Sequence, residues 1–159
     1  MAYANLTSLI YIERDGKYLM LHRVKREKDV NAGKWIGVGG KFEGDESPEE
    51  CAIREAREET GLTLRRPVLR GIVTFVSDRC PTEYMHLFTC DDFSGTLREC
   101  NEGKLEWIDK SAVSALPIWE GDRIFLSLLA RNAPFFSLKL VYRGDELVRA
   151  ILDGRELDL

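Results

Sequence analysis

The chain has 159 residues, 44% hydrophobic and 31% charged, which suits one globular domain over residues 1–159 and excludes a disordered polymer. Its formal net charge of -4 excludes gripping a nucleic-acid backbone by bulk charge, so handling a polyanion would need a local cation. Four cysteines (Cys51, Cys80, Cys90, Cys100) without CxxC spacing, and two distant histidines (His22, His86), argue against a zinc site or a disulfide framework. Reduced thiols fit a cytoplasmic location. The N-terminal stretch has no basic segment and no long apolar run, so neither a signal peptide nor a membrane span is expected.

Residues 4–13 and 17–23 are rich in Leu, Ile, Tyr and Met around Asp15-Gly16, which predicts an antiparallel hairpin. The polar stretch 24–34 reads as a loop, followed by a short strand at Trp35–Val38. Gly39-Gly40 then lets the backbone turn or approach a neighbour closely. Ser47-Pro48-Glu49-Glu50 is a helix start with a capping residue, a first-turn proline and a capping box, and Gly61 suits the left-handed end, so a helix is predicted over 48–60. Strands follow at 68–76, 84–90 and 105–108, a helix over 122–131, and a last hairpin around Arg143-Gly144-Asp145. No internal repeat or low-complexity linker interrupts them. Antiparallel hairpins dominate this order, so the fold class is α+β.

The helix over 48–60 carries the most informative pattern. Its apolar side gathers Ala52, Ile53, Ala56 and Thr60, while Glu55, Glu58 and Glu59 share another arc about 100° wide. Glutamate-rich helices commonly just face water. Here, however, Glu55–Glu58 and Glu55–Glu59 are like-charge neighbours, and nothing close in sequence neutralises Glu59. A divalent cation would, and clustered hard oxygen ligands suit Mg2+ or Mn2+ rather than zinc or copper.

The full spacing, G-x5-E-x7-R-E-x-x-E-E-x-G on Gly40, Glu46, Arg54, Glu55, Glu58, Glu59 and Gly61, resembles the signature box of Nudix hydrolases. Seven fixed positions match by chance about once in 10^8 windows at average residue usage. Ala56 departs from the Ile, Leu or Val usual after the Arg-Glu pair. The resemblance implies a mixed sheet between helices and Mg2+- or Mn2+-dependent cleavage of a diphosphate linked to another moiety. It makes Glu55, Glu58 and Glu59 the acidic cluster, with the Gly39 carbonyl and Glu102 as further metal ligands. Glu55 would deprotonate or orient the attacking water, and Arg54, partnered by Glu46, would hold the acids in place. Arg23 and Lys41 are the candidates for phosphate contact.

Within the superfamily the chain is most similar to MutT-like 8-oxo-dGTP diphosphatases, in KWIGVGGKFEGDESPEECAIREAREETGL and LPIWEGDRIF. That similarity implies a base pocket in which Trp119 stacks and Asp122 reads the purine edge. Animal purine-sanitising relatives have Asn directly after the strand tryptophan; here it is Ile36, which makes that side of the pocket apolar. Phe75, Tyr84 and His86 are further candidates whose facing depends on strand register. The expected partner is a small-molecule nucleotide, with no nucleic-acid polymer and no membrane, in a monomer or homodimer. Alternatives are hydrolysis of ADP-ribose or a dinucleoside polyphosphate, or a nucleotide-sensing domain without turnover.

Overall fold

The computed structural model of the protein describes residues 4–23 and 29–159, so part of the predicted 24–34 loop lies outside the described residues. Strands β1 (Ala4–Arg14) and β2 (Lys17–Arg23) form the first hairpin, and Asp15 and Gly16 both take positive φ, as a tight hairpin turn requires. The next strand departs from expectation. It divides into β3 (Trp35–Ile36), which pairs with β2, and β4 (Val38–Lys41), which pairs with β1. Gly37 is the break, where a Cβ would stand 2.8 Å from the Ile10 carbonyl oxygen. Gly39 and Gly40 therefore lie inside a strand and serve close approach rather than a turn.

Helix α1 (Pro48–Thr60) keeps the predicted bounds. After it come β5 (Thr63–Leu64), the long hairpin β6 (Val68–Ser77) and β7 (Thr82–Cys90), and β8 (Phe93–Ser94), which pairs with β5 in a small sheet not anticipated from sequence. β9 (Gly103–Asp109) pairs with β2, and a single turn α2 (Lys110–Val113) leads to α3 (Glu120–Ala130). The chain ends in the hairpin β10 (Phe136–Arg143) and β11 (Glu146–Leu152), with β12 (Arg155–Glu156) on its edge.

Among the described residues ten strands join one mixed sheet, in the order β12-β11-β10-β6-β7-β1-β2-β3, with β4 added to β1 and β9 to β2. Most neighbours are antiparallel, but β1–β7 and β6–β10 are parallel. Those two junctions tie hairpins distant in sequence into one surface. The class is α+β, with the sheet between α1 and α3.

Alternation along β1 decides which residues meet which helix. Ile10 and Ile12 belong to the cluster containing Ala52 and Ala56 of α1. Tyr11 belongs to the opposite cluster, with Phe125 and Leu128 of α3 and Leu138 and Leu140 of β10. Phe125 is fully buried and meets Tyr11 edge-on, with ring centroids 5.8 Å apart. We expect Phe125→Ala to lower unfolding free energy in urea by about 3–5 kcal/mol. Phe135→Ala, at a side chain 58% exposed, is expected to change it by no more than about 0.5 kcal/mol.

Candidate active site

The site begins with the seating of α1. Ser47 caps the helix, accepting from Glu50 N at 3.1 Å while its own N–H donates to Glu50 Oε1 at 2.9 Å. Gly61 ends it in the left-handed conformation, donating to the Arg57 carbonyl. Ala52 and Ala56 are fully buried, and such small side chains let the helix lie close to the sheet. The two strand glycines complete the approach. A Cβ on Gly39 would stand 1.9 Å from the Ser8 carbonyl oxygen, and one on Gly40 would stand 2.5 Å from the Glu55 carboxyl carbon. Gly40 thus leaves room for the Glu55 carboxylate directly over the strand.

Arg54 holds this arrangement through its donors. Nε and Nη2 grip the two Glu46 oxygens at 2.6 and 2.9 Å, Nη1 reaches Glu55 at 2.8 Å and Glu58 at 3.2 Å, and Nη2 also donates to the Lys41 carbonyl. The expected Arg54–Glu46 pair is present. The Glu46 hydrogen bond is the main reason the guanidinium is held even more firmly charged than usual.

The three box acids do not share one environment. Glu58 is the outer one, its side chain 60% exposed beside Arg54. Glu55 borders the cleft with burial raising its carboxyl above the ordinary range, against the Arg54 guanidinium that lowers it. Glu59 is buried, accepts from Gly39 N at 2.9 Å, and is pushed up to about 8 by burial, with the Glu102 and Glu55 charges adding. The helix wheel explains the split: Glu59 lies seven residues after Ala52, hence about 20° from it, on the packed face. Ligand atoms of Glu59, Cys100 and Glu102 lie within 4.8 Å of one another. Crowded, desolvated carboxylates favour either a shared proton or a cation, and their oxygens are the donor set for a hard divalent ion. Cys100 had no spacing signal in the sequence; only the return of the chain before β9 brings it to Glu59.

Beside these acids a cleft of about 460 Å3 reaches the N-terminal start of α3, taking in Gly39, Gly40, Glu55 and Glu102 as well as Ile36, Trp119 and Asp122. Arg23 and Lys41 border it too. Arg23 is already engaged, donating from Nε and Nη2 to Asp29 at 3.1 Å and from Nη1 to Glu102 at 3.0 Å. Trp119 is only 3% exposed. Its Nε1 donates to Asn31 at 2.7 Å, Phe75 and Tyr142 meet it edge-on, and the Lys34 ammonium stands 4.3 Å from its ring centroid. It is thus both core residue and cleft wall, and Lys34 covers ring surface that stacking would need. Asp122 is buried, and burial pushes it up to about 8, which favours its neutral form.

Register settles the three aromatic candidates. Phe75 lines the cleft opposite Glu83. His86 makes a 2.9 Å hydrogen bond with the Thr7 carbonyl and packs on Phe42, while Tyr84 is exposed; neither borders the cleft. Sequence reading missed Thr7, Asn31, Glu83 and Met85, all of which border it. Alternation from Phe75 along the β6–β7 register finds Glu83 and Met85, once that register is known.

The family model described as NUDIX domain matches residues 5–129. An uncharacterized Nudix hydrolase of Bacillus subtilis, YvcI, is 34% identical over 99% of this chain and 99% of its own length. The oxidized purine nucleoside triphosphate hydrolase of Danio rerio is 28% identical, over 98% of this chain and 99% of its own. Among solved structures, the mutator MutT protein from Bacillus halodurans superposes with a TM-score of 0.83 at 28% identity, over 94% of this chain and 97% of that one. Similarity of this extent, reaching from β1 to α3 and over the whole box helix, shows that the chain belongs to the Nudix family, enzymes that act on pyrophosphate bonds.

Proposed function

We propose that this Nudix hydrolase is a Mg2+-dependent nucleoside triphosphate pyrophosphohydrolase of the MutT type. It takes purine deoxynucleotides, oxidised ones such as 8-oxo-dGTP among them, to the monophosphate and pyrophosphate. The observation that supports this most is one continuous cleft lined by Glu55 and Glu102 as well as by Trp119 and Asp122. A triphosphate and its base need such a path.

Glu59, Glu102 and Glu55, with the Gly39 carbonyl and Glu58 at the outer side, would hold Mg2+ (or Mn2+). When bound, the ion neutralises phosphate charge and acidifies a coordinated water. Glu55 takes the proton of the attacking water; its half-buried carboxyl, raised by desolvation and aligned by Arg54, suits that role. Arg54 touches no substrate and acts by positioning Glu55 and Glu58. Lys41 contacts phosphate oxygens, and Arg23 does so from a guanidinium pre-aligned by Asp29. At the far end Asp122 hydrogen-bonds the base edge, and Ile36 and Phe75 supply apolar surface beside it. Ile36 offers no hydrogen bond, which widens the range of bases admitted. A panel of 8-oxo-dGTP, dGTP, dATP and ADP-ribose compared by kcat/KM tests the reading; ADP-ribose winning by a wide margin would overturn it.

Glu55→Gln should lower kcat about 10^2- to 10^4-fold in single-substrate assays, while thermal unfolding still shows a shift on adding Mg2+. The pH dependence follows from Glu59. Its folded-state carboxyl is raised to about 8, so the metal-free protein loses stability as pH rises from the ordinary carboxylate range through about 8. Mg2+ must displace that proton, so the rise in Tm on adding Mg2+ is expected to be larger near about pH 9 than near about pH 6.5. In Glu59→Gln this difference should vanish, and its persistence in calorimetry would remove Glu59 from the metal site.

A further inference from the structure

The cleft also carries Glu83, an acid that the roles above leave unused. On one face of the sheet Lys41 of β4 pairs with Thr7 of β1, and Thr7 with Met85 of β7. Glu83, two residues before Met85, shares that face and stands opposite Phe75 of β6. All five residues border the cleft. Two of them present polar atoms without partners. Thr7 is 6% exposed and its Oγ1 has no hydrogen-bond partner. Glu83 makes no hydrogen bond or ion pair among the described residues; burial raises its carboxyl, and Lys41 is the charge that acts against this.

Buried polar groups are ordinarily satisfied, so the unpartnered Thr7 hydroxyl, on the same cleft wall as the half-buried Glu83 carboxyl, marks where a ligand completes them. The Glu83 carboxylate offers acceptors and the Thr7 hydroxyl, diagonal to it across β1 and β7, an acceptor and a donor; Phe75, opposite Glu83, also meets Trp119, which places this wall at the base end. We propose that Glu83 is a specificity-determining residue: with Thr7 it forms an acceptor edge that selects nucleotides whose base carries an exocyclic amino group. This rests on the reading that the cleft takes the base of a nucleotide. An oxo group in place of the amine sets the Glu83 carboxylate acceptor to acceptor and leaves only the Thr7 hydroxyl to donate to it.

The test uses substrates that differ at the amine, dGTP against dITP and dCTP against dUTP, with the wild-type enzyme, Glu83→Met, Glu83→Gln and Thr7→Val. Wild type should favour the amino member of at least one pair. Glu83→Met should cut that preference about tenfold or more, mainly through KM. Glu83→Gln, which keeps an acceptor oxygen, should retain part of it, and Thr7→Val should lower it in the same direction. A merely structural role for Glu83 would change both members of a pair alike. Unfolding in urea confirms that each variant is folded. No preference in wild type, or an unchanged ratio in Glu83→Met, overturns the proposal. Should ADP-ribose prove the better substrate, the triphosphate reading fails instead, and the same comparison between ADP-ribose and its hypoxanthine counterpart decides the role of Glu83.

Discussion

The close approach of α1 to β4 is the constraint on which the rest of this structure depends. It needs small side chains on the helix, Ala52 and Ala56, and none on the strand at Gly40, while Gly39 lets β4 lie close to β1. With that spacing, a backbone N–H of the strand reaches the Glu59 carboxylate and the Glu55 carboxylate sits over Gly40. A methyl on Gly40 would displace the Glu55 carboxylate, and one on Gly39 would collide with the Ser8 backbone of β1 and disturb the strand whose N–H holds Glu59. The Arg54 fork then locks the same geometry from the outer side, joining the loop at Glu46 to the helix acids.

That seating puts like charges where water is scarce. In the absence of a cation, burial favours the protonated form of Glu59, and Glu55 is raised for the same reason. A fold selected for stability alone would replace such groups with apolar ones. Their retention beside Glu102 and Cys100 makes sense in an enzyme that recruits a divalent ion to a polyphosphate. The outer position of Glu58 suits a lesser share of that work, with Arg54 balancing its charge.

The far end of the cleft is built by different physics. Two parallel junctions, β1–β7 and β6–β10, bring strands from distant parts of the chain onto one surface. Side chains of Thr7, Met85, Glu83 and Phe75 share a face only through that register. Trp119 and Tyr142 pack edge-on above it, and Asp122 is buried with them. On the proposed reading, metal chemistry and base choice are carried by separate elements that meet in one cleft, which lets one vary while the other is kept.

Local sequence determined a good deal. The capping box, the first-turn proline and Gly61 placed α1 at its observed bounds, because caps act through neighbours a few residues apart. The hairpins at Asp15-Gly16 and Arg143-Gly144-Asp145 were legible for the same reason, and the box spacing named the family and the bond it attacks. The break at Gly37, the small sheet of β5 and β8, and the parallel junctions were not legible, since each depends on a partner far along the chain. The helix pattern held one unread signal, the near alignment of Glu59 with Ala52, which separates the buried acid from its exposed neighbour. Only the tertiary structure decided that Cys100 joins Glu59 and Glu102, that Arg23 is held by Asp29, and that Glu83 rather than His86 faces the cleft. Strand side chains alternate with a period of two, so their facing is fixed by register, and register is set by long-range pairing.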